Sequence, residues 1–201
     1  MKRVVLRFTP VCISLIVISS VFTARTAADL DLETVAGAWL FDERQGEVVT
    51  DLSPNGNDGK FVSNPRWAEG MFGGALEFDG DNDQVEIPSP PGSSLNPKTG
   101  LTIAAWISRN RKTAPGSADF IVAKMDTEQT KSYYLAYFND ALQMCVYEDW
   151  PPHRQVVDSD SVFSDQDWHH VAGAWSAGVM RMYIDGEFEG DTIAHGSKAV
   201  A

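Results

Sequence analysis

Residues 167–190 read DWHHVAGAWSAGVMRMYIDGEFEG, a stretch that alternates, turns and alternates again. Trp168, His170, Ala172 and Ala174 fall on one face of an extended strand while His169, Val171 and Trp175 fall on the other, because successive strand side chains point to opposite sides. Gly178 separates this run from VMRMYI. The dipeptide Asp185-Gly186 supplies the positive φ angles that a two-residue hairpin turn needs, so EFEG folds back antiparallel on the run before it. Such a stretch belongs to a sheet protein built from hairpins.

The rest of the chain keeps the same grammar of short β-branched or aromatic runs between Gly, Asn, Asp and Pro clusters. Strands are expected at VAGAWLF from Val35, GKFVS from Gly59, GALEF from Gly74, QVEI from Gln84, LTIAAWIS from Leu101, DFIVAKM from Asp119, SYYLAYF from Ser132 and LQMCVY from Leu142. With those near the C-terminus they make about ten or eleven strands at the spacing of an all-β antiparallel sandwich or jelly roll. No long amphipathic helix, low-complexity tract, linker or internal repeat interrupts them, which points to one domain.

Ahead of the strands, Met1 to Ala28 carries Lys2, Arg3 and Arg7, then an apolar run from Val11 to Phe22, then small residues in TARTAAD. The order is that of a secretory signal peptide, and the apolar run is shorter than the ~20 residues of a spanning helix. The expected organisation is a signal peptide over 1–28, a short lead-in over 29–34 and one domain over 35–201. The protein is therefore expected to be secreted or at the cell surface, with no membrane insertion after cleavage.

Cleavage after Ala28 would leave 12 Lys plus Arg against 28 Asp plus Glu, a formal net charge of −16. An acidic surface repels polyphosphate and anionic lipid, which excludes nucleic acid and membrane surfaces as expected partners, and it offers carboxylates to a hard cation. Of the two cysteines, Cys12 lies in the leader and Cys145 in the apolar run ALQMCVY, so no intrachain disulfide is expected in the exported form. Its stability must then come from core burial or metal, with Cys145 as a small buried hydrophobe.

Three segments in order, GAWLFDERQGEVVTDLSPNGNDGKF, GMFGGALEFDGDNDQVEIP, and LTIAAWIS followed later by DWHHVAGAWSAGVMRMYIDG, carry a resemblance. Over about Val35 to Gly190 the chain resembles the laminin-G-like jelly-roll domains of the concanavalin-A-like lectin/glucanase superfamily, bacterial three-motif type. Two departures stand out. Pro54 replaces the usual Gly of DLSGNGN, which is tolerable where φ is near −65° and no amide hydrogen bond is needed. The resemblance also implies a closing strand of IDEVRIYNRAL type after the hairpin, whereas the sequence runs to HGSKAVA at Ala201. The expectation is a C-terminally truncated domain with an unpaired strand edge and a tendency to edge-strand self-association.

Catalytic groups are not evident. The related glucanases use an ExDxE-type carboxylate cluster on one strand, at the separation a retaining mechanism needs, and no such cluster occurs here. His153, His169, His170 and His195 lack metal-enzyme spacing, and no GxSxG elbow is present. A non-enzymatic protein is expected.

The run Asp79 to Asp83 begins like an EF-hand, but Gln84 stands where the turn needs Gly and Pro90 where a bidentate Glu should be. The loop DLSPNGNDG offers Asp51, Asn55, Asn57 and Asp58 as hard oxygens for calcium, or equally a turn held by Asx hydrogen bonds. The resemblance implies a structural Ca2+ in some relatives, with ligands in this loop and near the FDG motif, here Asp79. For ligand binding, VYEDWPPHR places Tyr147, Trp150, His153 and Arg154 together in an extended Pro-held loop, where an aromatic body could stack on a sugar ring while polar neighbours read its hydroxyls. Trp39, Trp106, Trp168 and Trp175 are assigned to the core. The expected function is a non-catalytic module that binds a glycan, with an extracellular protein surface, or a non-functional fragment of a larger protein, as the alternatives.

Overall fold

The structure, a computed structural model, describes residues 31–109, 112–125, 133–147, 154–162 and 165–192, together with the backbone of residues 2–5. Most of the expected leader with Cys12, the residues Trp150, His153 and His195, and the tail from residue 193 lie outside the described residues.

The described strands are β1 (Lys2–Val5), β2 (Val48–Val49), β3 (Gly59–Val62), β4 (Arg66–Gly70), β5 (Gly73–Phe78), β6 (Gln84–Glu86), β7 (Gly100–Arg109), β8 (Ala118–Lys124), β9 (Tyr133–Phe138), β10 (Ala141–Tyr147), β11 (Arg154–Val162), β12 (Trp168–Ser176), β13 (Val179–Ile184) and β14 (Glu187–Asp191). They form a seven-stranded sheet in the order β14-β13-β12-β7-β1-β5-β4, a four-stranded sheet in the order β11-β10-β9-β8, and a small sheet β2-β3-β6. Every pairing is antiparallel. The fold is the expected antiparallel β-sandwich, and the hairpin at Asp185-Gly186 is made with both residues at positive φ, 52° and 85°.

The core lies between the two large sheets. Ile103, Ala105 and Ile107 of β7, Val171 and Trp175 of β12, and Met180, Met182 and Ile184 of β13 meet Leu135 and Tyr137 of β9, Leu142, Met144 and Val146 of β10, and Val157 of β11. Burying side chains of this size releases water from both facing surfaces and drives the sheets together. Gly173 keeps the interface close: a Cβ there would lie 2.6 Å from the Met144 sulfur.

Three expectations need correction. The run from Val35 to Phe41 is buried at Val35, Ala38, Trp39 and Phe41 but is irregular rather than a strand. Its backbone is tied instead to an acidic side chain, Ala38 N donating to Asp51 Oδ1 at 2.8 Å, with Leu52 N returning to the Ala38 carbonyl. Phe41 has φ 58°, and its carbonyl presses so closely on Gly74 that no Cβ fits there, which forbids a regular ladder at that point. Second, Arg154–Val162 is a strand that composition hid, since its polar outward residues outnumber the buried Val157 and Ser159. Third, Trp39 and Trp175 are core residues, whereas Trp106 and Trp168 are only half-buried. Trp106 meets Phe72 edge-on and His170 at a tilt, at 5.3 and 5.5 Å between ring centroids.

Candidate functional site

Alternation along the four-stranded sheet sends Leu135, Leu142, Met144, Val146 and Val157 into the core, so Tyr134, Gln143, Cys145, Tyr147, Arg154, Val156 and Asp158 share its outer face. Cross-strand register then fixes neighbours. Tyr134 pairs with Cys145, which pairs with Val156; Gln143 lies opposite Asp158, and Tyr147 opposite Arg154.

The polar groups on this face form one relay. Arg154 Nη2 donates to the Tyr134 hydroxyl at 2.9 Å, that hydroxyl donates to Gln143 Oε1 at 2.7 Å, and Gln143 Nε2 donates to Asp158 Oδ1 at 2.6 Å. A positive end and a negative end are thus joined through two neutral groups, each of which both donates and accepts, an arrangement that fixes every rotamer along it. Phe120, exposed, stands edge-on to the Tyr134 ring with centroids 5.5 Å apart. Arg154 is also exposed, so a guanidinium anchored at one edge presents itself beside an aromatic ring at the surface.

Burial dominates the titration of this face. It pushes Tyr134 up to about 12, with Cys145 adding to the effect and Arg154 opposing it. It also raises the Cys145 thiol above its ordinary value, so at neutral pH the cysteine is a closed, protonated floor residue rather than a nucleophile. Asp158, the carboxylate of the relay, is held by Gln143.

Of the four expected ligand-contact residues, the structure brings Tyr147 and Arg154 together as a directly opposed pair closing β10 and opening β11. They therefore belong to strand ends rather than to one continuous loop, while Trp150 and His153 lie outside the described residues. Sequence reasoning missed Tyr134, Gln143, Asp158 and Phe120. The alternation Tyr134, Ala136, Phe138 in SYYLAYF is the signal that could have placed Tyr134 on an outer face.

The loop expected to hold calcium is organised around Asp51, 6% exposed. Its Oδ1 accepts from Ala38 N and Ser53 N, both at 2.8 Å, and its Oδ2 from the Ser53 hydroxyl and Asn57 N, both at 2.7 Å. A carboxylate has about four acceptor positions, so protein donors take the whole set. Asn55 and Asn57 turn their amide nitrogens to the carbonyls of Val35 and Ala36, at 2.8 Å each. Asp79 accepts from Asp81 N at 2.8 Å, within its own turn. Among the described residues no group of three or more His, Cys, Asp or Glu is placed to hold a metal. Asp51 is the hydrogen-bond hub of the loop. Burial alone would raise its pKa, but the N–H groups of Ala38, Ser53 and Asn57 and the Ser53 hydroxyl outweigh burial and hold it below the ordinary carboxylate value.

The adjacent histidines part company. His169 bridges two carboxylates, Nδ1 at 2.6 Å from Asp185 Oδ2 and Nε2 at 3.1 Å from Asp165 Oδ1. His170 goes to the opposite face, against Trp106.

No curated protein matches the chain. A solved S-layer domain-containing protein of Clostridium thermocellum, residues 221–444, is similar at 19% identity and a TM-score of 0.44, covering 82% of this chain and 79% of that one. A family model matches residues 79–200, which takes in β6 to β14, with the whole four-stranded sheet and the outer face just described, and by that match the chain belongs to the concanavalin A-like lectin/glucanases superfamily.

Proposed function

We propose that this protein is an exported, non-catalytic module that binds a glycan on the outer face of its four-stranded sheet, with Phe120, Tyr134, Tyr147 and Arg154 as contact residues. The observation that carries the reading is the Arg154–Tyr134–Gln143–Asp158 relay beside the exposed Phe120 ring. A sugar needs an apolar plate for its ring face and fixed donors and acceptors for its hydroxyls, and preorganised polar groups lose less entropy on binding than mobile ones. A glycosidase of the retaining type instead needs two carboxyl groups about 5 Å apart, and the relay holds one. Export rests on the leader-like Met1–Ala28 segment.

The test is a glycan array probed with labelled protein and with Arg154→Ala, Phe120→Ala and Trp150→Ala variants whose folding is checked by their melting curves. Saturable signal with the parent chain, reduced at least tenfold in Arg154→Ala and Phe120→Ala, is expected. A blank array with the folded parent chain would sink the glycan reading and turn attention to an extracellular protein as the ligand of the same face.

A further inference from the structure

An open groove of about 520 Å³ lies where the β2–β3 pairing meets the first residues of β4, and none of the residues lining it belongs to the outer face of the four-stranded sheet. Its volume falls within the roughly 300–1,000 Å³ of small-molecule sites. We propose that this groove is a second binding site, independent of the outer face, that takes a sugar carrying a free amine, a glucosamine-type unit. Phe61 and Trp67 serve as its apolar plates and Glu47 as the partner of the ammonium.

The plates are set before any ligand arrives. The Trp67 indole N–H donates to the Gly46 carbonyl at 2.9 Å, and the Phe61 ring lies 5.3 Å from it, centroid to centroid, at a tilt of 39°. Both rings pack against the core yet stay half-buried. With its one donor spent on the backbone, Trp67 offers the groove ring surface. The turn joining β3 to β4 is fixed as well, since Asn64 N donates to Asp83 Oδ1 at 2.8 Å and Pro65 is buried. Among the described residues the exposed side chains of Ser63 and Asn64 have no hydrogen-bond partner, which leaves a hydroxyl and an amide at the rim for sugar hydroxyls. Rings already held in place lose little entropy on binding.

Charge selects the amine. Two charged residues border the groove, Glu47 and Arg66. Arg66 lies directly opposite Glu77 while Trp67 lies opposite Leu76, so alternation puts the guanidinium on the other face of the strand from the indole. Glu47 is on the side of the rings: Val48 pairs with Lys60, which sets Glu47 opposite Phe61, and Phe61 N donates to the Glu47 carbonyl at 2.8 Å. Directly opposed residues share a face. The Glu47 carboxylate makes no ion pair among the described residues. An aromatic face attracts a cation through its quadrupole, and a carboxylate beside it adds the opposite charge. A neutral sugar would use the plates and leave the carboxylate idle, whereas an amino sugar uses both. The formal net charge of −12 on the whole chain draws such a ligand in from a distance.

The test titrates the full chain with a short glucosamine oligomer, its N-acetylated counterpart and an oligolysine of equal charge, read by calorimetry, with folding of each variant checked by its melting curve. The glucosamine oligomer should bind saturably, and both the N-acetylated oligomer and the oligolysine at least about tenfold more weakly. Glu47→Gln, at an exposed position, and Trp67→Phe should each lose about tenfold or more; Glu47→Gln carries the test should the second variant not fold. Phe120→Ala and Arg154→Ala should bind the amino sugar like the parent, so that this site stands or falls apart from the outer face. The proposal is overturned if the parent does not bind the glucosamine oligomer, or binds the acetylated one as well. Parental affinity in Glu47→Gln overturns it by giving the attraction to the acidic surface as a whole. Equal binding of oligolysine overturns it by making the groove a site for basic peptides, and loss of binding in Phe120→Ala by giving the ligand to the outer face.

Discussion

Met144 of β10 lies directly over Gly173 of β12, so that a Cβ built on the glycine would stand 2.6 Å from the sulfur, 3.2 Å from the methionine Cβ and 3.3 Å from its Cγ. The contact joins the two sheets at the middle of the core, and it involves the whole methionine stem and not only its flexible tip. Gly173→Ala should therefore cost about 1–3 kcal/mol, the usual penalty of overpacking, read as a lower urea midpoint at unchanged slope. Met144→Ala in the same background should recover part of the loss by making room for the new methyl. An alanine variant as stable as the parent would mean that the sheets can separate locally at no cost.

Asp51 gives a second prediction. Asp51→Asn replaces one acceptor oxygen with an amide that faces N–H donors, leaving buried groups unsatisfied at a cost of about 1–3 kcal/mol. The sign of the pH dependence follows from the lowered pKa. Stability due to this carboxylate is complete above its unfolded value near 3.8 and is lost as pH falls through the lower folded value. The parent should lose stability over that acid window while Asp51→Asn changes less. Because the acceptor positions are taken by protein donors, the melting temperature should be the same in millimolar calcium and in chelator. A calcium-dependent rise that Asp51→Ala removes would show instead that this loop holds the ion.

The sandwich was legible because most strands carry period-2 alternation between turn residues, as in LTIAAWIS and WHHVAGAW, and burial on one face enforces that period. Two failures share a physical origin. The 35–41 run is as apolar as a strand, yet its backbone is satisfied by the Asp51 side chain, a partner that no local pattern announces. Arg154–Val162 is as polar as a loop, yet it lies at the sheet edge, where few inward residues suffice. The candidate site was half visible for a related reason. Tyr147 and Arg154 are near in sequence, but Tyr134, Gln143 and Asp158 join them only through cross-strand register, which single-sequence periodicity does not contain.

The two adjacent histidines should pull stability in opposite directions with pH. Burial opposes charge on His169, but Asp185 and Asp165 outweigh it and raise its pKa above 6.5. Its contribution is full below about 6.5 and fades as pH rises through the folded value. Burial lowers the pKa of His170, with Asp185 opposing, so it is harmless above 6.5 and destabilises the fold as pH falls from there toward its lowered value. His169→Gln should flatten the decline on the alkaline side of 6.5, and His170→Gln the decline on the acid side, both measured by denaturant midpoints between pH 5 and 8. Identical pH profiles for the two variants would contradict these assignments.

The relay on the outer face makes a prediction that separates stability from binding. Tyr134→Phe removes the hydroxyl that accepts from Arg154 and donates to Gln143, while keeping the ring against Phe120. Exposed Arg154 can turn to water, but buried Gln143, 7% exposed, keeps only its bond to Asp158 on this relay, so the fold should lose about 1–2 kcal/mol. The larger effect should appear in ligand affinity, since the guanidinium is no longer held beside the ring and must be ordered at each binding event, at a cost of about 0.5–1.5 kcal/mol per side chain. A threefold to tenfold weaker Kd on any glycan found to bind, from a faster off-rate rather than a slower on-rate, is the expected outcome in surface-capture kinetics. Phe120→Ala should behave differently: nearly unchanged stability, because the ring is exposed, with binding weakened at least as much. Equal binding by the parent and both variants would place the ligand elsewhere on the molecule and strip the relay of any part in recognition.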